Sequence, residues 1–85
     1  MITDKRMLRL IDLLRFENKI KSELDFCNAI EMLPQKITKV RNGSQHFTVK
    51  QIESACEKFN VNANWIFGLN DSVYNEKNSI KIKDI

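Results

Sequence analysis

Residues 22–43, SELDFCNAIEMLPQKITKVRNG, hold the signals for two short helices separated by a brief turn. Ser22, with an acidic residue three positions later, is typical of a helix N-cap whose first turn carries a favourable negative charge. Pro34 suits the first position of a second helix, because the N–H that proline lacks would be unpaired there in any case. Asn42 and Gly43 end that helix, since glycine adopts a left-handed C-terminal cap at no steric cost. We therefore expect a two-turn helix after Ser22 and a further helix from Pro34 to about Asn42.

The preceding segment predicts an amphipathic first helix. Thr3 or Asp4 can provide its N-cap, and we expect its end near Glu17 or Asn18. Between these limits large apolar residues recur at spacings of three and four, which is the pattern of one buried helix face. That stripe consists of Met7, Leu10, Ile11 and Leu14. The matching inner face of the helix after Ser22 consists of Phe26, Cys27 and Ile30.

Two more helices are predicted after residue 43. Thr48, with a glutamine three positions later, fits the capping-box pattern, and Asn60 is the expected end of the helix that it opens. The expected buried face of this helix consists of Val49, Ile52, Ala55, Cys56 and Phe59. Asn62 then caps a short last helix, in which Trp65 supplies a large apolar side chain and Gly68 supplies the stop.

Five helices account for most of the 85 residues and predict an all-α fold. A chain of this length forms one domain with a modest core and leaves no room for a separate catalytic or sensing domain. We assign residues 1–70 to this domain and residues 71–85 to a C-terminal tail. The tail alternates apolar and polar residues in SIKIKDI, residues 79–85, so an edge strand, a dimerisation element and disorder are all open. It is equally open whether Phe47 points into the core or lies exposed.

Positive charge is concentrated in residues 32–52. This window holds four Lys/Arg and no Asp/Glu, whereas residues 1–31 hold six of each, and the whole chain has a net charge of +3. A basic segment in an otherwise balanced chain is typical of a surface that binds a polyanion, and nucleic acid is the first candidate. A solvated charged face is the plain alternative for Lys36 and Lys39, but it does not predict an acid-free window beside a capped pair of helices.

The two-helix unit and its neighbours resemble the helix-turn-helix of the phage Cro and repressor (XRE-type) family. The resemblance covers roughly residues 6–72 and depends on the ordered set of five helices, with Ile37 and Val40 at core positions of the family. It implies a five-helix lambda-repressor-like DNA-binding domain with a short C-terminal tail. The helix from Pro34 to Asn42 would then enter the major groove of DNA.

The resemblance and the chemistry of the side chains together indicate the DNA contacts. In the major groove, Gln can bond adenine and Lys can bond guanine, so residues on the outward face of this helix can read base edges. The base-reading candidates are Gln35, Lys36, Lys39 and Thr38. Contacts to phosphate fix the register of the protein on DNA without carrying sequence information. The phosphate candidates are Ser22, Arg41, Asn42, Ser44, Gln45 and His46.

Two residues depart from the family pattern. Glu31 occupies the turn position where the family usually has Gly, so a left-handed backbone there would cost about 1 kcal/mol or more. Leu33 replaces the usual Ser or Thr cap of the second helix and loses a side-chain acceptor worth about 1 kcal/mol. We therefore expect a slightly reshaped turn before the recognition helix.

No other chemistry is indicated by the sequence. Cys27 and Cys56 are far apart, with no second Cys or His at metal-ligand spacing, so we expect neither a metal nor a cofactor. His46 has no partner at useful spacing, and no carboxylate pair, nucleophile triad or phosphate loop is present, so we do not expect an enzyme. The N-terminal segment interrupts its apolar runs with charge, which predicts neither a signal peptide nor a membrane span; we expect a cytoplasmic protein.

The expected function is sequence-specific binding of double-stranded DNA by a transcriptional regulator, with repression as the favoured role. One recognition helix contacts few base pairs, so specificity implies a homodimer on an inverted repeat. RNA polymerase or another protein is an open further partner. The alternative is a helical protein-interaction module, antitoxin-like or an adaptor, with weak or no base-specific DNA binding.

Overall fold

Five α-helices form the part of the chain that the computed structural model describes, residues 1–76. They are α1 (Ile2–Phe16), α2 (Glu23–Ala29), α3 (Gln35–Arg41), α4 (Val49–Phe59) and α5 (Ala63–Ile66). This part of the chain contains no β-strand, so the predicted all-α fold is confirmed. Within the same residues, no helix combines the length and the apolar character needed to cross a membrane.

The core lies where one face of each helix meets the others. α1 packs on α3 and α5 and buries Met7, Leu10, Ile11 and Leu14, as their spacing predicted. The rings of Phe26 and Phe59 stack with their centroids 5.8 Å apart and join α2 to α4. Phe47 is buried as well, so the loop before α4 is anchored to the core. Further buried side chains come from the last three helices: Ile37, Val40, Ile52, Ala55, Trp65 and Ile66.

The first helix begins at Ile2, with Met1 at the N-cap and no side-chain cap hydrogen bond. The prediction that Thr3 or Asp4 caps this helix is therefore wrong, because both residues lie inside its first turn and are buried. The Asp4 carboxylate instead accepts a hydrogen bond from the backbone N–H of Phe47 at 2.9 Å. The Asp4 carboxylate, which the local pattern predicted as a cap, therefore bonds a backbone N–H that is distant in sequence.

The connection from α2 to α3 consists of residues 30–34 and contains one residue in the left-handed conformation. Ser22 caps α2 and accepts a hydrogen bond from the backbone N–H of Asp25 at 3.4 Å. Glu31 adopts the left-handed conformation, with a φ of 55°. Pro34 already has helical dihedral angles, φ −57° and ψ −32°, but it occupies the N-cap, so α3 begins at Gln35, one residue later than predicted.

The fourth helix opens with the predicted capping box. The Thr48 side chain accepts from the backbone N–H of Gln51 at 3.1 Å, and the Gln51 side chain accepts from the backbone N–H of Thr48 at 2.9 Å. Asn60 ends the helix in the left-handed conformation. Ile52 and Ala55 are buried and Cys56 and Phe59 half-buried.

Val49 does not belong to the buried face of α4, and its placement there was wrong. Its side chain is 76% exposed. Val49 is the first residue of α4, and side chains on a helix lean toward its N-terminus, so this one extends past the edge of the core. The periodic pattern gives the face correctly but does not show where the core ends.

The chain after α5 folds back on the α4–α5 link. Asn62 caps α5 as predicted, and Gly68 takes a positive φ of 77° after it. The backbone N–H of Asn62 then donates to the carbonyl of Val73 at 2.8 Å, and Asn75 donates to the carbonyl of Asn60 at 3.0 Å. The described part of the tail is therefore attached to the helical domain. The SIKIKDI segment, on which the alternatives for the tail depend, lies outside the described residues.

Candidate nucleic-acid interface

The polar side chains of α3 face away from the core. Ile37 and Val40 are buried and hold the helix against α1. This anchoring leaves Gln35, Thr38 and Lys39 exposed and Lys36 half-buried. All four base-reading candidates therefore lie outside the core, and α3 can present them to a ligand without unfolding.

An open cavity collects most of the predicted reading residues. Three of the four base-reading candidates line it, together with Gln45 from the loop after α3: they are Gln35, Lys36 and Lys39. Thr38 does not line this cavity, and neither do the other five phosphate candidates, Ser22, Arg41, Asn42, Ser44 and His46. The structure thus brings together residues from the beginning and the end of the basic window.

Four further residues line the same cavity and were not predicted as site residues. They are Glu31, Met32, Leu33 and Gln51. Gln51 belongs to the capping box of α4, and its side-chain oxygen is used by Thr48, which leaves its amide N–H groups as donors toward the cavity. The capping-box pattern located Gln51 correctly, but only the fold shows that the start of α4 lies beside α3.

Arg41 forms an ion pair with Glu23 across the helix-turn-helix. Its guanidinium donates to the Glu23 carboxylate, and this hydrogen bond raises the pKa of Arg41 above its already high ordinary value. The pair joins the last turn of α3 to the first turn of α2. Arg41 was predicted to contact phosphate. In this structure its guanidinium contacts Glu23 instead, and the Glu23 carboxylate offsets its positive charge.

Asn42 and Ser44 build the turn that ends α3. The Asn42 side-chain oxygen accepts from the backbone N–H of Ser44 at 3.0 Å, and the Ser44 hydroxyl donates to the carbonyl of Lys39 at 3.2 Å. Gly43 between them has a φ of 83°, and the space around its Cα is open. The amide nitrogen of Asn42 is left as a donor, so its contact with phosphate stays a prediction, whereas the Ser44 hydroxyl proton is already bonded.

The remaining phosphate candidates, Ser22 and His46, already have partners in the protein. The Ser22 hydroxyl caps α2, where Glu23 and Asp25 also add negative charge. His46 Nδ1 lies 2.6 Å from a carboxylate oxygen of Asp4, to which it donates. The other ring nitrogen, Nε2, donates to an anion only when both nitrogens carry a proton. His46 remains more than half exposed, with 55% of its side chain accessible.

The free positive charge of the window comes from its lysines. Among residues 1–76, Lys36, Lys39 and Lys50 form no ion pair, whereas Arg41 pairs with Glu23. Glu31 is the acidic residue that lines the cavity. The surface is therefore less basic than the composition of residues 32–52 alone indicates, and its cationic character is centred on α3.

The two cysteines lie away from this surface and take no part in it. Burial, with a smaller contribution from Glu23, raises the pKa of the Cys27 thiol, and burial also raises the pKa of Cys56. Both therefore stay protonated and weakly nucleophilic at neutral pH. Within the described residues, no three His, Cys, Asp or Glu side chains lie close enough together to hold a metal ion.

Known proteins give no guide to this surface. No protein-family model, curated protein or solved structure matches the chain. Its function has to be inferred from its own residues and their geometry.

Proposed function

We propose that this protein binds double-stranded DNA sequence-specifically through α3 and regulates transcription, with repression as the favoured role. The observation that carries the proposal is the arrangement of Gln35, Lys36 and Lys39 around one open cavity on the outer face of a short, well-anchored helix. Glutamine offers the donor and acceptor that adenine N7 and N6 require, and lysine reaches guanine O6 and N7. This is the chemistry of base reading in the major groove.

The neighbouring loop supports the same proposal. Gln45, beside α3, and Nε2 of His46 are placed to approach the phosphate backbone when α3 lies in the groove. The ion pair of Arg41 with Glu23 adds a contact between α2 and α3 beside the buried side chains that hold α3 in place. Phosphate contacts of this kind position the protein, while the residues on α3 discriminate between sequences.

A homodimer on a two-fold symmetric site is part of the proposal. Each good base contact discriminates by only about 1–3 kcal/mol, so one seven-residue helix cannot select a site from a whole genome. Two copies would place their reading helices in successive major grooves, about 34 Å apart. Repression would then follow from occlusion of RNA polymerase at the bound site.

A protein-interaction module is the second candidate function, and one observation favours it. Ile2, Phe67 and Leu69 are exposed apolar side chains at the end of the molecule where α5 meets the start of α1. A methyl group built on Gly68 would lie 3.2 Å from the Ile2 side chain, which shows that these segments are close neighbours. Such a surface would bind another protein if the cationic face of α3 had no role.

Selection of bound duplexes from a random library tests the proposal directly. We expect enrichment of a two-fold symmetric sequence whose affinity falls steeply with salt, because phosphate contacts release counterions. The Lys36→Ala and Lys39→Ala variants should each bind the winning duplex more weakly and with a shallower salt dependence. Lys58→Ala is the matched control, since this exposed lysine lies near the end of α4 and away from the cavity.

Two results would contradict the proposal. One is a library from which no sequence is enriched, with only weak binding that disappears at moderate salt. The other is equal binding by Lys36→Ala, Lys39→Ala and Lys58→Ala. Either result would favour the protein-interaction module, for which substitutions on α3 leave function intact.

A further inference from the structure

Leu33 is an exposed apolar residue at the edge of the cationic face of α3. Its side chain is 73% exposed, although it stands next to the buried Met32. It lines the open cavity together with Lys36 and Lys39. Leu33 lies two residues before the first residue of α3, so the cavity brings a residue of the α2–α3 connection beside two lysines of the helix.

The position of Leu33 brings no visible benefit to the fold. It lies outside the core, and α3 has no side-chain cap hydrogen bond at its start. Single exposed leucines are common on protein surfaces and need no explanation by themselves. This one, however, lines the same cavity as Lys36 and Lys39, which have no ion-pair partner among residues 1–76. An apolar side chain beside two free cations suits a ligand that carries both negative charge and an apolar group.

We propose that Leu33 packs against the C5-methyl group of a thymine and so adds a specificity-determining contact to the DNA site. The inference rests on the proposed function of α3. Thymine is the base that presents an apolar group in the major groove, beside the phosphates and the acceptor atoms that Lys36 and Lys39 would bind. A polar residue at position 33 would present no apolar surface to this methyl group, and the thymine contact would be lost.

Deoxyuridine provides the test, because it differs from thymidine by this one methyl group. The duplex enriched by the full-length protein is remade with each thymine replaced singly by deoxyuridine, and the Kd is measured by fluorescence anisotropy. We expect a single replacement at either of two symmetry-related positions, one in each half-site, to weaken binding about fourfold, the equivalent of burying one methyl group. The Leu33→Ala variant should bind the thymine and deoxyuridine duplexes equally, and Leu33→Gln should do the same.

One control variant and one competing variant separate Leu33 from other apolar groups. Val49→Ala, the control, removes an equally exposed apolar side chain at the start of α4 and should keep the fourfold preference for thymine. Thr38 is itself a base-reading candidate with an exposed methyl group on α3, so Thr38→Ser tests it as the competing source of the thymine preference. Circular dichroism of each variant shows whether the helical fold is retained, as expected for exposed positions.

The outcomes distinguish the two proposals. If a duplex is selected but Leu33→Ala keeps the thymine preference, or Thr38→Ser abolishes it, the role of Leu33 is wrong and the DNA-binding function stands. If no duplex is selected, the DNA-binding function fails and the thymine contact fails with it. Loss of binding to another protein, with no change in DNA affinity in Leu33→Ala, would assign the exposed leucine to a protein partner.

Discussion

Asp4 connects the first turn of α1 to the loop that follows α3. Its buried carboxylate accepts the backbone N–H of Phe47 with one oxygen and lies 2.6 Å from His46 Nδ1 with the other. Phe47 is thereby held in the core, and His46 is oriented with Nε2 outward. A residue 42 positions away in sequence thus determines the geometry of one predicted phosphate contact.

Substitution of Asp4 should destabilise the fold and loosen this loop. Asp4→Ala leaves the buried N–H of Phe47 without an acceptor, which should lower the free energy of unfolding by about 1–3 kcal/mol. Urea unfolding followed by circular dichroism measures the change. Asp12→Ala on the same helix removes an exposed carboxylate and should change stability by no more than about 0.5 kcal/mol. Equal stabilities of the two variants would show that the Asp4 hydrogen bond contributes nothing.

The helix-turn-helix unit shows how far local patterns determine an element. Ser22, Thr48 and Asn62 cap their helices as predicted, because each side chain bonds a backbone N–H only two or three residues away. The exposed position of Val49 was missed, since periodicity carries no information about where the core ends. Local signals therefore locate the caps of α2, α4 and α5, but they fail at the start of α1, where the distant N–H of Phe47 bonds the Asp4 carboxylate.

The candidate site was only partly predictable for the same reason. The outward positions of Gln35, Lys36 and Lys39 follow from the buried Ile37 and Val40 on the same short helix. The pairing of Arg41 with Glu23, 18 positions earlier, does not follow from the local sequence, because it depends on how α2 and α3 cross. The contribution of Gln51 to the cavity likewise depends on the placement of α4.

Relief of backbone strain in the α2–α3 turn is expected from Glu31→Gly. Glu31 holds a φ of 55°, a conformation that costs residues other than glycine about 1 kcal/mol, so the variant should unfold at a higher urea concentration. Glu31→Ala is the control: it removes the same charge, keeps the Cβ atom and should show no such gain. If alanine stabilised the turn as much as glycine, the charge of Glu31 rather than its backbone would be the cause.

At the scale of the whole molecule, Tyr74, near the end of the described residues, contacts residues at the end of α1. The Tyr74 hydroxyl donates to the Glu17 carboxylate, and the Lys19 ammonium lies 3.7 Å from the centre of the Tyr74 ring. Tyr74 also forms an isolated antiparallel bridge with Val61, in the link between α4 and α5. The segment before residue 77 therefore fastens the first helix to the last two.

The contact between Tyr74 and Glu17 should weaken at alkaline pH. Burial, followed by the hydrogen bond and the negative charge of Glu17, raises the pKa of Tyr74 well above its ordinary value of about 10. A raised pKa means that the folded state favours the protonated phenol, so this contribution to stability is complete below pH 10 and declines as pH rises above it. Urea unfolding at several pH values between 8 and 11 should show a steeper loss of stability for the wild type than for Tyr74→Phe.

The comparison with Tyr74→Phe isolates the phenol, because every other titratable group is the same in the two proteins. Phenylalanine keeps the ring beneath Lys19 but has no proton to lose, so it removes the donor to Glu17 without removing the apolar contact. Below pH 9 the wild type should be the more stable protein, and the difference should shrink as pH approaches 11. Parallel pH profiles would mean that Tyr74 is not bonded to Glu17 in solution and that the end of α1 is not fastened by this segment.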